Sequence, residues 1–168
     1  MKELFLIRHA KSDWGTEFLK DVDRPLNERG YSDAYFMSGW FLKNQTVPAK
    51  ILSSTATRAL NTALIFARTF DFNMSNFALE KNIYESSSKN LISIIREQPN
   101  DVTSLAVFCH NPAITEVCNA LLNDFFIEDV PTCGITGIKF SVNGWQDIAE
   151  KKGELGFYQF PKNFKNNN

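Results

Sequence analysis

Leu4-Phe5-Leu6-Ile7 is an unbroken apolar run close to the first residue, and it stops at Arg8-His9. A strand with one wet face alternates apolar and polar side chains. A run with no polar position has to be covered on both faces, which is the condition of a strand inside a parallel sheet layered by helices. Residues 50–53 (Lys-Ile-Leu-Ser) and 102–109 (Val-Thr-Ser-Leu-Ala-Val-Phe-Cys) behave similarly, each leading into polar residues and then a helical period. Between them, residues 77–84 around Phe77, Leu79, Ile83 and Tyr84 give a weaker strand signal.

Helices fill the intervals. Residues 27–44 space Tyr31, Ala34, Tyr35, Trp40 and Phe41 about three or four apart, an amphipathic stripe. Residues 55–69 place Ala59, Ala63, Phe66 and Phe70 on one face, and residues 87–98 carry Leu91, Ile94 and Ile95 before halting at Pro99. Asn111-Pro112 opens a fourth helix, since proline suits a first helical turn. Strands alternating with helices predict an α/β fold of three layers, with a mostly parallel central sheet flanked by helices. The C-terminal part changes character: residues 135–148 alternate apolar and polar around Asn143-Gly144, which predicts a β-hairpin with Ile138, Phe140 and Val142 on one face. At 168 residues, 43% of them hydrophobic, the chain is about one domain long, read here as 1–162 with a frayed tail at 163–168.

Charge narrows the partners. Eighteen Lys and Arg against nineteen Asp and Glu give a net charge of -1, so there is no global positive field for nucleic acid or acidic lipid, and any anion site must be local. No apolar stretch approaches the roughly 20 residues that span a bilayer, and the N-terminal run is too short for a signal peptide. Cys109, Cys118 and Cys133 form neither an even set nor a CxxC pair, so the expectation is a reducing, cytoplasmic setting with Cys109 and Cys118 as buried packing.

The chain has only two histidines, and each sits just past the C-terminal end of an apolar run: His9 after Arg8, and His110 between Cys109 and Asn111. Ligand sites of open α/β sheets lie at that edge. Arg58 follows the second strand and begins a helix whose amides point the same way. Taken singly, each has a bland reading, as a satisfied structural histidine or a solvated helix arginine. Together, Arg8, His9, Arg58 and His110 describe a phosphate cradle, because guanidinium forks match phosphoryl oxygens two at a time. No acidic cluster stands at metal-ligand spacing, so the histidine itself is expected to be the nucleophile, with no metal and no cofactor.

Leu6-Ile7-Arg8-His9-Ala10-Lys11-Ser12, Asp23-Arg24-Pro25-Leu26-Asn27-Glu28-Arg29-Gly30, the segment 54–63 and Cys109-His110-Asn111-Pro112 stand in one order. In that order they resemble the histidine phosphatase superfamily, also called phosphoglycerate-mutase-like, and within it the SixA-type phosphohistidine phosphatases. The resemblance implies that His9 is transiently phosphorylated while Arg8, Arg58 and His110 bind the phosphoryl group and stabilise its transfer. It also implies that Glu85, after the third strand, stands about where many members carry a general acid; otherwise Glu85 is an acidic residue favoured near the start of the helix at Ser87. Asn111 offers either a backbone donor to the anion or a side-chain cap for the fourth helix. Arg24 either reaches the phosphate or pairs with Asp23.

The need for an acid depends on the leaving group. An alkoxide is nearly as basic as hydroxide, whose conjugate acid has a pKa of about 15.7, whereas the conjugate acid of imidazole has one of about 6.5. The segments linking the second, third and fourth strands are short and leave little chain for a lid. An open cleft suits a phosphorylated side chain on a protein, with Trp14, Phe18 and the loop 13–23 as its rim, although Trp14 reads equally as a core aromatic. The expected substrate is thus phosphohistidine in a protein, bound through its phosphate-like anion. A small phosphate ester, such as a sugar phosphate or nucleotide, is the alternative. A non-catalytic phosphate-binding module is the reading from outside enzymes.

Overall fold

A computed structural model describes residues 1–165 and has the predicted layered architecture. In chain order the elements are β1 (Lys2–Arg8), α1 (Glu28–Asn44), β2 (Lys50–Ser53), α2 (Thr57–Thr69), β3 (Phe77–Leu79), α3 (Ser88–Arg96), β4 (Ser104–Cys109), α4 (Ala113–Leu121), β5 (Ile135–Phe140), β6 (Glu154–Gln159) and α5 (Lys162–Lys165). The six strands form one sheet in the order β3-β2-β4-β1-β5-β6. β3, β2, β4 and β1 run parallel; β5 pairs antiparallel with β1, and β6 antiparallel with β5, so only β5 runs the other way.

β1 shows why its sequence is apolar throughout. Leu4 and Leu6 point into a core with Leu91, Ile95, Ile114, Val117 and Leu121 of α3 and α4. Phe5 and Ile7 point the other way, into a core with Ala34, Met37, Phe41, Phe66 and Phe70 on the side of α1 and α2. Alternation is present in direction, and both directions are dry. Phe5 meets the edge of Phe41 at 4.9 Å between ring centres.

β3 ends at Leu79, short of the expected 84, and Ile83 lies in a helical turn at Lys81–Ile83. Three further details differ from expectation. The buried face of α1 runs through Gly30, Ala34, Met37 and Phe41, while Tyr31 and Tyr35 are 42% and 48% exposed. The reason is local: Gly30 packs so closely on the Lys11 carbonyl that a Cβ there would collide with it, and this contact sets the rotation of the helix. The C-terminal hairpin exists as β5 with β6, but its return strand is 154–159. Asn143-Gly144 is not a two-residue turn; Gly144 leads into a single helical turn at Trp145–Asp147 that buries Trp145 against the α3–α4 core. Ile138, Phe140 and Val142 do share that core. Third, residues 163–165 of the expected tail lie in α5, and Phe164 packs on Phe36 at 5.2 Å; residues 166–168 fall outside the described part.

All three cysteines are free and buried, as expected of packing, and burial pushes each thiol up from its ordinary value. Among the described residues no helix is long and apolar enough to cross a membrane.

Candidate active site

Parallel register brings the two histidines together. β1 and β4 are the central strands, Arg8 stands opposite Cys109, and the His9 amide donates to the Cys109 carbonyl at 3.2 Å. Both chains leave the sheet at the same edge, so the imidazoles lie 5.2 Å apart between ring centres. Ser54, just past β2, ties into the same place: its amide donates to the Phe108 carbonyl, and its hydroxyl oxygen lies 2.7 Å from Nε2 of His110. The chain then turns into α2, whose second residue is Arg58.

His9 is 8% exposed, and its Nδ1 lies 2.7 Å from the carbonyl oxygen of Ala10. A carbonyl can only accept, so Nδ1 carries the proton. Burial, together with the nearby His110, Arg58 and Arg8, pushes the imidazole down to about 3, against the weaker opposing effect of the Ala10 bond. The ring is therefore neutral at ordinary pH, with its lone pair on Nε2. His110 is likewise pushed down to about 4, first by burial and then by Arg58.

Three arginines surround the pair. Arg8 donates from Nη1 to the Val130 carbonyl at 2.7 Å and lies 3.5 Å from the Asp129 carboxylate. Arg58 is 6% exposed; its Nη1 donates to the Asp21 carbonyl at 2.8 Å and its Nη2 to Asp21 Oδ2 at 3.1 Å. Arg24 donates from Nε to Asp21 Oδ1 at 3.1 Å and from Nη1 to Ser12 Oγ at 2.8 Å, and its guanidinium lies 3.5 Å from the centre of the Trp14 ring. Each guanidinium has five N–H donors, so each keeps spare ones. Nε of Arg8, Nε of Arg58 and Nδ1 of His110 are buried without a partner.

Arg8, His9, Arg24, Arg58, His110 and Asn111 all line one cleft of about 180 Å³, with Trp14 at its side. Of the sequence candidates, Glu85 and the rim candidate Phe18 are not among the lining residues; Glu85 is exposed, on left-handed backbone at φ 54°. Arg24 pairs with Asp21 rather than Asp23. The Asn111 side chain is not a helix cap. It donates to Asp129 Oδ1 and the Val130 carbonyl and accepts from the Thr115 hydroxyl, pinning the loop that meets Arg8. Trp14 is 73% exposed, and Phe18 fully exposed, so the core reading of Trp14 gives way to the rim.

Asp21 and Tyr84 are not singled out for the site by the sequence. The Tyr84 hydroxyl donates to Asp21 Oδ2 at 2.7 Å. That bond, with help from Arg24 and Arg58, holds the Asp21 carboxyl down at about 2, while the tyrosine is pushed up to about 12. Nothing in the spacing signals a pair so far apart in the chain.

Residues 4–87, half of the chain, match the model of the histidine phosphatase superfamily, branch 1. The chain belongs to that superfamily. An uncharacterized protein of Mycobacterium leprae is 28% identical over 93% of this chain and its own whole length. A SixA structure from Agrobacterium tumefaciens superposes with a TM-score of 0.81 at 25% identity, covering 95% of this chain and 98% of that one. The fold is also that of a protein histidine phosphatase SixA solved with tungstate, at a TM-score of 0.74 and 18% identity over 96% of this chain and 98% of that one. The phosphoglycerate-mutase-like, SixA-type architecture expected from the motifs is thus the one observed.

Proposed function

We propose that this histidine phosphatase superfamily member removes phosphate from phosphohistidine in a protein, through a phosphorylated His9. The observation that carries the reading is the His9 ring, neutral, with Nδ1 committed to the Ala10 carbonyl and Nε2 left as nucleophile beside Arg8, Arg58 and His110. Nε2 attacks phosphorus, a P–N bond forms, and the bond to the leaving imidazole nitrogen breaks. The substrate ring, protonated on its other nitrogen, keeps the electron pair of that bond and leaves as neutral imidazole, so no proton has to be supplied. Water then attacks the phosphorus of phospho-His9, the P–Nε2 bond breaks with its electron pair returning to Nε2, and inorganic phosphate leaves.

The surrounding groups serve the charge. Arg8 and Arg58 neutralise the equatorial oxygens as the phosphoryl group transfers. Their buried, unpartnered Nε atoms support an oxyanion ligand, since a buried donor left without an acceptor costs about 1–3 kcal/mol. Arg24 and Asn111, which line the cleft, are assigned to substrate binding. Glu85 stands outside it, which supports a leaving group that departs without an acid, and imidazole is one.

Phosphate release tests this with wild type and His9→Ala, in excess chelator, on a phosphohistidine-bearing protein and a panel of small phosphate esters. The expected result is turnover of the phosphoprotein by wild type and none by the variant. Faster turnover of an ester would make the substrate a metabolite. Activity surviving His9→Ala would overturn the nucleophile, and no turnover on anything would leave a binding module.

A further inference from the structure

Asp21 is an anchor point without an anchor of its own in the core. It opens a single helical turn, Asp21–Asp23, that buries no residue, and its side chain is 50% exposed. Packing therefore cannot hold the carboxylate; its hydrogen bonds must. Two of them go to arginines of the cleft, Arg24 on Oδ1 and Arg58 on Oδ2, and long arginine side chains need a fixed partner to be held in turn. The remaining side-chain bond comes from the Tyr84 hydroxyl. Tyr84 has the fixed base that Asp21 lacks: it follows Ile83, which is 1% exposed in the α3–α4 core, and its ring stands edge-on to His110 at 5.8 Å.

We propose that Tyr84 is a positioning residue whose hydroxyl, by tethering the Asp21 carboxylate, holds Arg58 and Arg24 where they receive the phosphoryl group. The tether joins the segment after β1 to the segment after β3, so the affinity of the cradle depends on a residue that does not line it. The inference rests on the phosphatase reading above, and concerns its binding step.

The test is a double-mutant cycle read by titration with inorganic phosphate. Tyr84→Phe keeps the ring and removes the tether alone. It is expected to weaken phosphate binding by about 3- to 10-fold, raising KM more than it lowers kcat, with an unchanged melting temperature. In an Asp21→Ala background, where the tether has nothing to hold, the same substitution is expected to change binding by less than about twofold. Wild-type affinity in Tyr84→Phe, or an equal loss in both backgrounds, would overturn the proposal. A wild-type chain that neither binds nor releases phosphate would instead overturn the phosphatase reading, and with it this inference.

Discussion

The hydroxyl of Thr62 accepts a hydrogen bond from the Ala10 amide at 3.0 Å. The same hydroxyl donates to the Arg58 carbonyl at 2.7 Å, one turn earlier in α2. Ala10 is also the residue whose carbonyl fixes the His9 tautomer, so a single buried oxygen relates the orientation of the His9 ring to the helix that carries Arg58.

Thr62→Val keeps the shape and removes that link. The Ala10 amide is then buried without a partner, which is expected to destabilise the fold by about 1–3 kcal/mol. Misaiming of the ring is expected to lower kcat by about 10-fold. Denaturant titration and steady-state kinetics on one preparation check both, and full activity with intact stability would refute the link.

The histidines make stability depend on pH. The unfolded chain takes up protons on them near pH 6.5, whereas the folded chain resists to about 3 at His9 and about 4 at His110. Between those values the unfolded state binds more protons, so stability falls as pH drops below about 6.5 and is regained as pH rises through that value. Urea midpoints from pH 7.5 to 4.5 measure the slope. His9→Gln is expected to make it shallower by about one proton.

Glu85→Gln is expected to leave turnover within about twofold of wild type, because the side chain is exposed and lines no part of the cleft. A working general acid contributes about 10²- to 10⁴-fold, so the two outcomes are far apart. Rates on a phosphohistidine protein and on an ester decide between them.

Trp14→Ala removes the aromatic face beside Arg24. At an exposed site such a contact is worth about 0.5–1 kcal/mol, so KM is expected to rise about 2- to 5-fold with kcat little changed. An effect on kcat alone would count against the rim assignment.

The sequence exposed those features whose cause is local. β1 and β4 were legible because both their faces are dry, and His9 and His110 because each follows such a run at the sheet edge where ligands bind. Arg58 was legible from its place after β2. What stayed hidden depends on distant pairing. Asp21 meets Tyr84 across 63 positions, and no periodicity encodes that contact. Asp129 and Val130 reach Arg8 from the loop before β5 for the same reason. The phase of α1 is set by the Gly30 contact with Lys11 and not by its own aromatic residues, so Tyr31 and Tyr35 stay at the surface despite their helical spacing.

His9 and His110 each stand one residue past the end of a middle strand of the sheet, whereas Arg24, Asp21, Tyr84 and Asp129 lie farther out in the connecting segments. Central strands open only with the whole molecule, while surface segments fluctuate at small cost. Chemistry and recognition are thus carried by parts of unequal durability. A change in the segments around the cleft can alter what the cleft binds while the two imidazoles stay in register, and binding should be the first property lost on warming and the last regained.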